Sequence, residues 1–321
     1  MKKEQAKPQA GDFWGGLAAM LLVLPAALAF GVTVFAPLGP DYAAQGAFAG
    51  MLGAAVLGLL AALLGGTQGL ISAPCAPAAA VLAALTLERM QLGHEPLVIL
   101  LQLTLIGMLA GLFQVLFGLL RWGRLIKYMP YPVVSGYLSG VGLLIIFSQL
   151  PKFLGLKAGD LKSVLFQPLI WHWQSLLVGS ITVMTMLWAS RLIRMIPPVI
   201  LALISGLVSY QILAALDPAL RRLQGNPLIV GLPPLTEGNG LQSLWLRWQA
   251  FQMPGPEFLQ TVLVPALTLA VLLSIDTLKT CLILDALTRR RHDSNRELLG
   301  QGLGNFLTAL LARISHKQIS R

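Results

Sequence analysis

The sequence predicts an all-α, polytopic membrane protein. Of its 321 residues, 56% are apolar and only 11% are charged. The mean hydropathy of +0.74 lies well outside the range of ordinary soluble domains. Apolar runs long enough to span a bilayer recur along the chain. Because about 20 such residues cross a hydrocarbon core of roughly 30 Å as a helix, we expect several membrane-spanning helices.

Glycine, proline and charged residues divide the chain into about nine predicted spans. The spans are residues 12–36, 43–66, 74–88, 96–120, 131–154, 169–190, 197–216, 258–286 and 295–312. The third is short, because only about ten residues separate Pro77 from the first charged residue after it, Glu88. It is predicted to be a half-helix preceded by extended chain.

Basic residues indicate the orientation of the chain. The net charge of +10 comes from short clusters at the ends of apolar runs, without the interleaved aromatic residues of a nucleic-acid interface. We therefore expect no nucleic-acid partner. With the amino terminus in the cytoplasm, the clusters at 2–7, 121–127, 191–194 and 289–296 share the cytoplasmic side. The positive-inside bias favours this orientation.

The eighth span carries three polar residues, Asp276, Lys279 and Thr280, on one helix face. Charged groups at membrane depth are costly and by default face a cavity or a partner. Two interpretations stay open: an internal pair of Asp276 with Lys279 that neutralises itself, and an ion-coupling or substrate-facing site. Asp285 lies one turn before Arg289, which predicts a surface ion pair between them.

The third span begins with the sequence SAPCAP, in which Pro74 and Pro77 flank Cys75 and Ala76. A helix that starts at membrane depth presents backbone N–H groups and the positive end of its dipole, which suit an anion. Small residues let the ligand approach the backbone. The alternative is a kinked helix packed through its alanines.

The first span contains Pro25 near its middle. A kink there opens lining positions for Ala26 and Phe30, although a Phe in a membrane helix usually serves packing.

Signatures of catalysis are absent from the sequence. It contains no Walker loop, dinucleotide-binding fingerprint or nucleophile elbow. Cys75 and Cys281 lack metal-ligand spacing. The histidines are scattered and predict neither a dyad nor a metal cluster; they are His94, His172, His292 and His316. We expect neither an enzyme nor a metal site nor an organic cofactor.

Four segments together resemble the sulfate permease (SulP) family of anion transporters. They are GDFWGGLAAMLLVLPAALAFG, SAPCAP, MPYPVVSGYLSGVGLLIIFSQLPKFLG and SIDTLKTCLILDALTRRRHDSNRELLGQGLGN. They follow the family's order from about residue 10 to about residue 310 and are similar to bacterial members, including cyanobacterial bicarbonate carriers. The resemblance implies a uracil-permease-like fold of seven plus seven helices related by an inverted repeat, of which about nine spans are present.

The resemblance also implies a domain organisation. Residues 1–11 are the cytoplasmic amino terminus, 12–128 core-domain spans, 129–216 gate-domain spans, 217–257 an extracytoplasmic loop with an interfacial helix, 258–312 core-domain spans and 313–321 an aberrant tail. Trp245 and Trp248 share one face of the interfacial helix. Since the family pattern continues where this chain stops, we expect a C-terminally truncated or frameshifted product that alone transports poorly or not at all.

Candidate site residues follow from the same resemblance, which places the anion between the starts of half-helices three and ten. The implied substrate-binding residues are Ala26, Phe30, Cys75 and Ala76. Asp276 and Thr280 match the coupling-ion pair of sodium-dependent members. Lys279 stands where the bicarbonate carriers have an apolar residue, and its charge so close to Asp276 would compete with sodium.

The expected function is secondary active transport of sulfate or bicarbonate across the bacterial inner membrane by an elevator-type displacement. Sodium coupling, proton coupling, anion exchange and homodimerisation stay open. One alternative is a nucleobase permease of the same fold, which would prefer a carboxylate pair where only Asp276 is available. The other is a non-transporting membrane subunit or pseudogene product.

Overall fold

The computed structural model describes residues 10–67, 69–128, 131–156, 171–192, 198–221 and 256–312. Within these ranges the chain forms nine α-helices and no strand. They are α1 (Ala10–Phe35), α2 (Pro40–Leu64), α3 (Ala76–Gln91), α4 (Pro96–Leu119), α5 (Tyr131–Phe153), α6 (Trp173–Leu192), α7 (Pro198–Leu216), α8 (Pro256–Thr288) and α9 (Ser294–Ala312). The predicted all-α class is confirmed, and each predicted span corresponds to one helix. The predicted interfacial helix and the tail lie outside the described residues.

Prolines set the start of several helices. Pro40, Pro96, Pro198 and Pro256 are the first residues of α2, α4, α7 and α8. Proline suits this position because its fixed φ is helical and because an N–H there would lack an intrahelical partner. For this reason the sequence located these helix starts to within a few residues.

Five helices are long and apolar enough to cross a bilayer, counted over the described residues. Their spanning segments are Gly15–Leu38, Tyr42–Leu64, Pro96–Leu119, Pro198–Leu216 and Gln260–Thr288. Large apolar side chains such as Leu63, Leu207 and Val264 point outwards, each more than half exposed. Such a surface is stable in lipid, where every helical backbone group has its partner within the helix. The chain is a membrane protein with several apolar helices.

The third helix is a half-helix, as predicted. It has 16 residues, so it is about 24 Å long and shorter than the roughly 30 Å hydrocarbon core. Residues 70–75 before it are not helical, and Cys75 has the extended conformation, with φ −91° and ψ 125°. A helix start is therefore available below the membrane surface.

The helices pack in two groups. In the first, α4 packs against α8 and α9, α2 against α1 and α9, and α3 against α1. The second consists of α5, α6 and α7, with α6 in contact with both neighbours. The groups meet where α3 contacts α5 and where α1 contacts α7. The buried centre of the first group includes Ile106, Ala110, Val262, Ala266 and Leu298.

Glycines allow α1 and α2 to cross at close range. A Cβ added at Gly31 would collide with the backbone oxygen of Gly46, and one added at Gly50 would collide with that of Ala27. Because backbone is in contact with backbone, neither helix can yield by moving a side chain. The crossing holds α1 in place beside the start of α3.

We expect Gly31→Ala to lower the temperature of thermal unfolding of the detergent-purified protein. Overpacking of a close contact costs about 1–3 kcal/mol. Gly16→Ala on the same helix is the matched control, since its Cβ would meet no atom within 4 Å among the described residues. Equal unfolding temperatures for the two variants would contradict the close crossing.

Candidate functional site

An ion pair lies within α8, in the middle of the first helix group. The ammonium of Lys279 donates to Oδ1 of Asp276 at 2.8 Å. The Lys279 side chain is 9% exposed and that of Asp276 is 30% exposed. Thr280 is on the outside of the protein, and its hydroxyl donates to the backbone oxygen of Asp276 at 2.9 Å. The carboxylate that the sequence singled out is thus already bound to a buried cation.

The start of α3 faces this ion pair. Helices α3 and α8 are in contact, and the Cys75 thiol is close enough to Asp276 and Lys279 to interact with both charges. The first helical hydrogen bond of α3 runs from the N–H of Ala79 to the backbone oxygen of Cys75 at 3.0 Å. The positive end of the α3 dipole therefore lies beside the only charged pair on α8 within the described membrane segment.

A cavity with a volume of about 410 Å³ extends between the helices of the first group. Its lining is mostly apolar, with polar side chains such as Gln45, Thr104 and Asn305. Of the four predicted substrate-binding residues, Phe30 and Cys75 line this cavity. Ala26 and Ala76, each next in sequence to a lining residue, are half-buried outside it. The structure thus brings Phe30 and Cys75 together, and their roles stay predictions.

The sequence analysis missed a buried carboxylate, Glu297 on α9, which is only 1% exposed. Its Oε2 accepts a hydrogen bond from the N–H of Gly66 at 2.9 Å, and its Oε1 accepts one from the Gln301 amide at 3.1 Å. The Gln301 amide also donates to the hydroxyl of Ser72. The sequence feature that could have predicted this contact is the spacing of Glu297 and Gln301. Residues four apart lie on the same face of a helix.

A contact with α8 completes this arrangement. The Thr67 hydroxyl and the Cys281 thiol are 3.4 Å apart. Residues of the non-helical stretches 65–67 and 69–75 are therefore contacted by polar groups of both α8 and α9 before α3 begins.

The predicted surface pair of Asp285 with Arg289 is wrong. Oδ2 of Asp285 lies 2.7 Å from Nδ1 of His292, and Nε2 of His292 lies 2.8 Å from the hydroxyl of Ser294. Arg289 ends α8 in the left-handed region, with φ 55°, and the turn then brings His292 back to the helix. The contact of Asp285 with His292 depends on the turn and not on spacing, so no periodic pattern in the sequence predicted it.

Residues 10–317 match the family described as the sulfate permease family. The chain belongs to the sulfate permease family. The resemblance predicted from the four segments is confirmed, and the match covers all nine helices.

Two relatives within this family are named bicarbonate transporter BicA. The chain is 32% identical to BicA of Picosynechococcus sp. over 314 residues, which cover 95% of this chain and 51% of the relative. It is 35% identical to BicA of Synechocystis sp. over 308 residues, covering 94% and 50%. The chain thus spans about half the length of these relatives.

A solved structure has the same fold. It is the transmembrane domain of a cyanobacterium bicarbonate transporter BicA, with a TM-score of 0.73 and 33% identity. The match covers 94% of this chain and 72% of that domain. The predicted sulfate permease fold is confirmed.

We expect Asp276→Asn to destabilise the protein, because it leaves the buried ammonium of Lys279 without its carboxylate. The expected loss is about 2 kcal/mol or more. The double variant Asp276→Asn/Lys279→Met, which removes both charges, should recover most of it. Thermal unfolding in detergent measures both effects, and a single variant as stable as the wild type would show that the pair is energetically unimportant.

We expect Glu297→Gln to speed amide hydrogen exchange in the segment 65–75, since one carboxylate oxygen is replaced by a donor that the N–H of Gly66 cannot bind. The loss of this bond costs about 1–3 kcal/mol. Glu88→Gln, an exposed position on α3, is the control. Unchanged exchange in Glu297→Gln would exclude this carboxylate as the anchor of the segment.

Proposed function

We propose that this chain binds a small inorganic anion, bicarbonate or sulfate, for secondary active transport across the bacterial inner membrane. The observation that carries the proposal is the start of half-helix α3 beside Asp276 of α8. Membership of the sulfate permease family supports an anion as substrate. The two relatives named above are bicarbonate transporters, which supports transport over catalysis.

The anion binds at the start of α3. The first-turn N–H groups and the helix dipole supply positive potential there, and the anion needs no arginine. Ala76 presents no bulk at this point, whereas Phe30 and Cys75 form an adjoining wall of the cavity. The Lys279 ammonium adds positive charge nearby. The Asp276 carboxylate offsets part of this charge, so that a bound anion can also be released.

Coupling in this chain differs from simple sodium binding at Asp276 and Thr280. The ammonium of Lys279 lies 2.8 Å from the carboxylate, where a sodium ion would have to bind. The side chain of Thr280 lies on the outside of the protein, whereas the ammonium of Lys279 is buried beside the carboxylate. These contacts favour anion exchange or proton coupling, with Lys279 as a resident cation.

The two helix groups support an elevator-type movement. We propose that α1–α4, α8 and α9 move together as the core, because they share one buried centre. The second group, α5–α7, serves as the gate. The basic clusters of the sequence support a cytoplasmic amino terminus.

Equilibrium binding of sulphur-35 sulfate and carbon-14 bicarbonate to the purified chain in lipid nanodiscs tests the proposal. We expect saturable binding of at least one anion. Ala76→Leu should weaken it at least about tenfold, which corresponds to about 1.4 kcal/mol, by placing side-chain bulk at the helix start. Ala84→Leu, an exposed position on the same helix, is the matched control.

Sodium provides a second arm of the same experiment. Sodium should leave binding by the wild type unchanged and should strengthen binding by Lys279→Leu, in which the carboxylate is released. Counterflow of labelled anion in proteoliposomes separates transport from binding. Saturable binding of neither anion, or equal effects of Ala76→Leu and Ala84→Leu, would contradict the proposed function.

A further inference from the structure

A second cleft lies where α8 ends and α9 begins. Its volume is about 360 Å³, and it is formed around the turn between the two helices. The lining residues that matter here are Asp285, Arg290, Arg291, His292, Asp293 and Arg296. Thr288, where the spanning segment of α8 ends, is about 18 Å along the helix from Asp276. The cleft is therefore separate from the α3 site and lies at the end of the α8 spanning segment.

The two acidic side chains of the cleft are occupied by internal donors. Asp285 is bound by the ring and by the backbone N–H of His292, at 2.7 and 3.3 Å. Oδ1 of Asp293 accepts hydrogen bonds from the N–H groups of Asn295 and Arg296, both at 3.2 Å, and so caps the start of α9. Neither carboxylate lies within 4 Å of the guanidinium of Arg291 or Arg296.

Two arginines of the cleft have no such counter-charge. Among the residues that the structure describes, the ion pairs within 4 Å are Lys279 with Asp276 and His292 with Asp285. Arg291 and Arg296 therefore have no described carboxylate at that distance. The Nε of Arg296 donates to the backbone oxygen of Leu64 at 3.1 Å, which fixes the guanidinium at the edge of the cleft.

We propose that this cleft binds a phosphate group, carried either by an anionic phospholipid or by soluble phosphate. A guanidinium presents a planar fork of donors that matches two phosphate oxygens, and such charge-assisted bonds are stronger than neutral ones. The concave shape lets Arg291 and Arg296 approach one ligand. The position at the end of a membrane-spanning helix suits an anionic headgroup, since basic pockets at this level attract such lipids.

The test uses the purified 321-residue chain and two probes. Native mass spectrometry measures bound phosphatidylglycerol when it is offered with an equal amount of phosphatidylcholine, and equilibrium dialysis measures binding of labelled inorganic phosphate. We expect Arg291→Gln/Arg296→Gln to weaken binding of the preferred probe at least about tenfold. Arg121→Gln/Arg289→Gln removes the same charge at exposed positions outside the cleft and should change binding little.

The outcomes distinguish the sources of the phosphate. Preference for phosphatidylglycerol that depends on the cleft arginines assigns the site to a lipid. Binding of inorganic phosphate with the same dependence, and without lipid preference, assigns it to a soluble ligand. Equal losses in the two double variants, or binding of neither probe by the wild type, would overturn the proposal.

A single variant keeps the test decisive if the double variant does not fold. Arg291 is exposed and makes no hydrogen bond with the described residues, so Arg291→Gln should leave the fold intact. Its control is Arg289→Gln on the same turn. Equal binding by these two variants would also overturn the proposal.

Discussion

The hydrogen bonds of Glu297 hold the chain that leads into the half-helix, and the site depends on them. Extended backbone at membrane depth is tolerated only where protein groups satisfy its N–H and carbonyl groups. The carboxylate binds the N–H of Gly66, while Gln301 binds Ser72 near the other end of the segment. Both anchors come from one turn of α9. The segment is thus bonded at two points before α3 begins, and Cys75 at the start of α3 lies beside Asp276.

The ion pair of Asp276 and Lys279 unites the two interpretations that the sequence left open. A charge alone on α8 would be costly, and the partner three residues away removes most of that cost within the helix itself. Neutralisation does not exclude a functional role, since the pair is next to the helix start that we assign to the anion. A resident ammonium would replace an exchangeable cation at the carboxylate.

Helix α8 brings two chemically different sites to two depths. At mid-helix its charges are paired, with Lys279 buried and Asp276 partly exposed, whereas arginines beyond its end at Thr288 line an open polar cleft. The turn between α8 and α9 accounts for the difference. It directs His292 onto Asp285 and Asp293 onto the start of α9, so both acids make hydrogen bonds within the turn and the start of α9. The arginines beside them form the cleft that we propose for a phosphate group.

Four segments that resemble the sulfate permease family predicted the family, and the spacing of Asp276 and Lys279 left an internal pair as one of two interpretations. The sequence by itself determined the membrane class, the nine helices that the described residues form and the short third helix. These features depend on hydropathy, proline positions and spacings of three or four residues, which are local properties of the chain. Only the tertiary structure decided that Glu297 holds Gly66, that Cys75 lies beside Asp276 and that Phe30 and Cys75 share a cavity. It also decided that Asp285 pairs with His292 and not with Arg289, because the conformation of one turn selects the partner. Such contacts join segments that are distant in sequence or lie across an irregular turn. A periodic sequence pattern cannot predict which residues meet there.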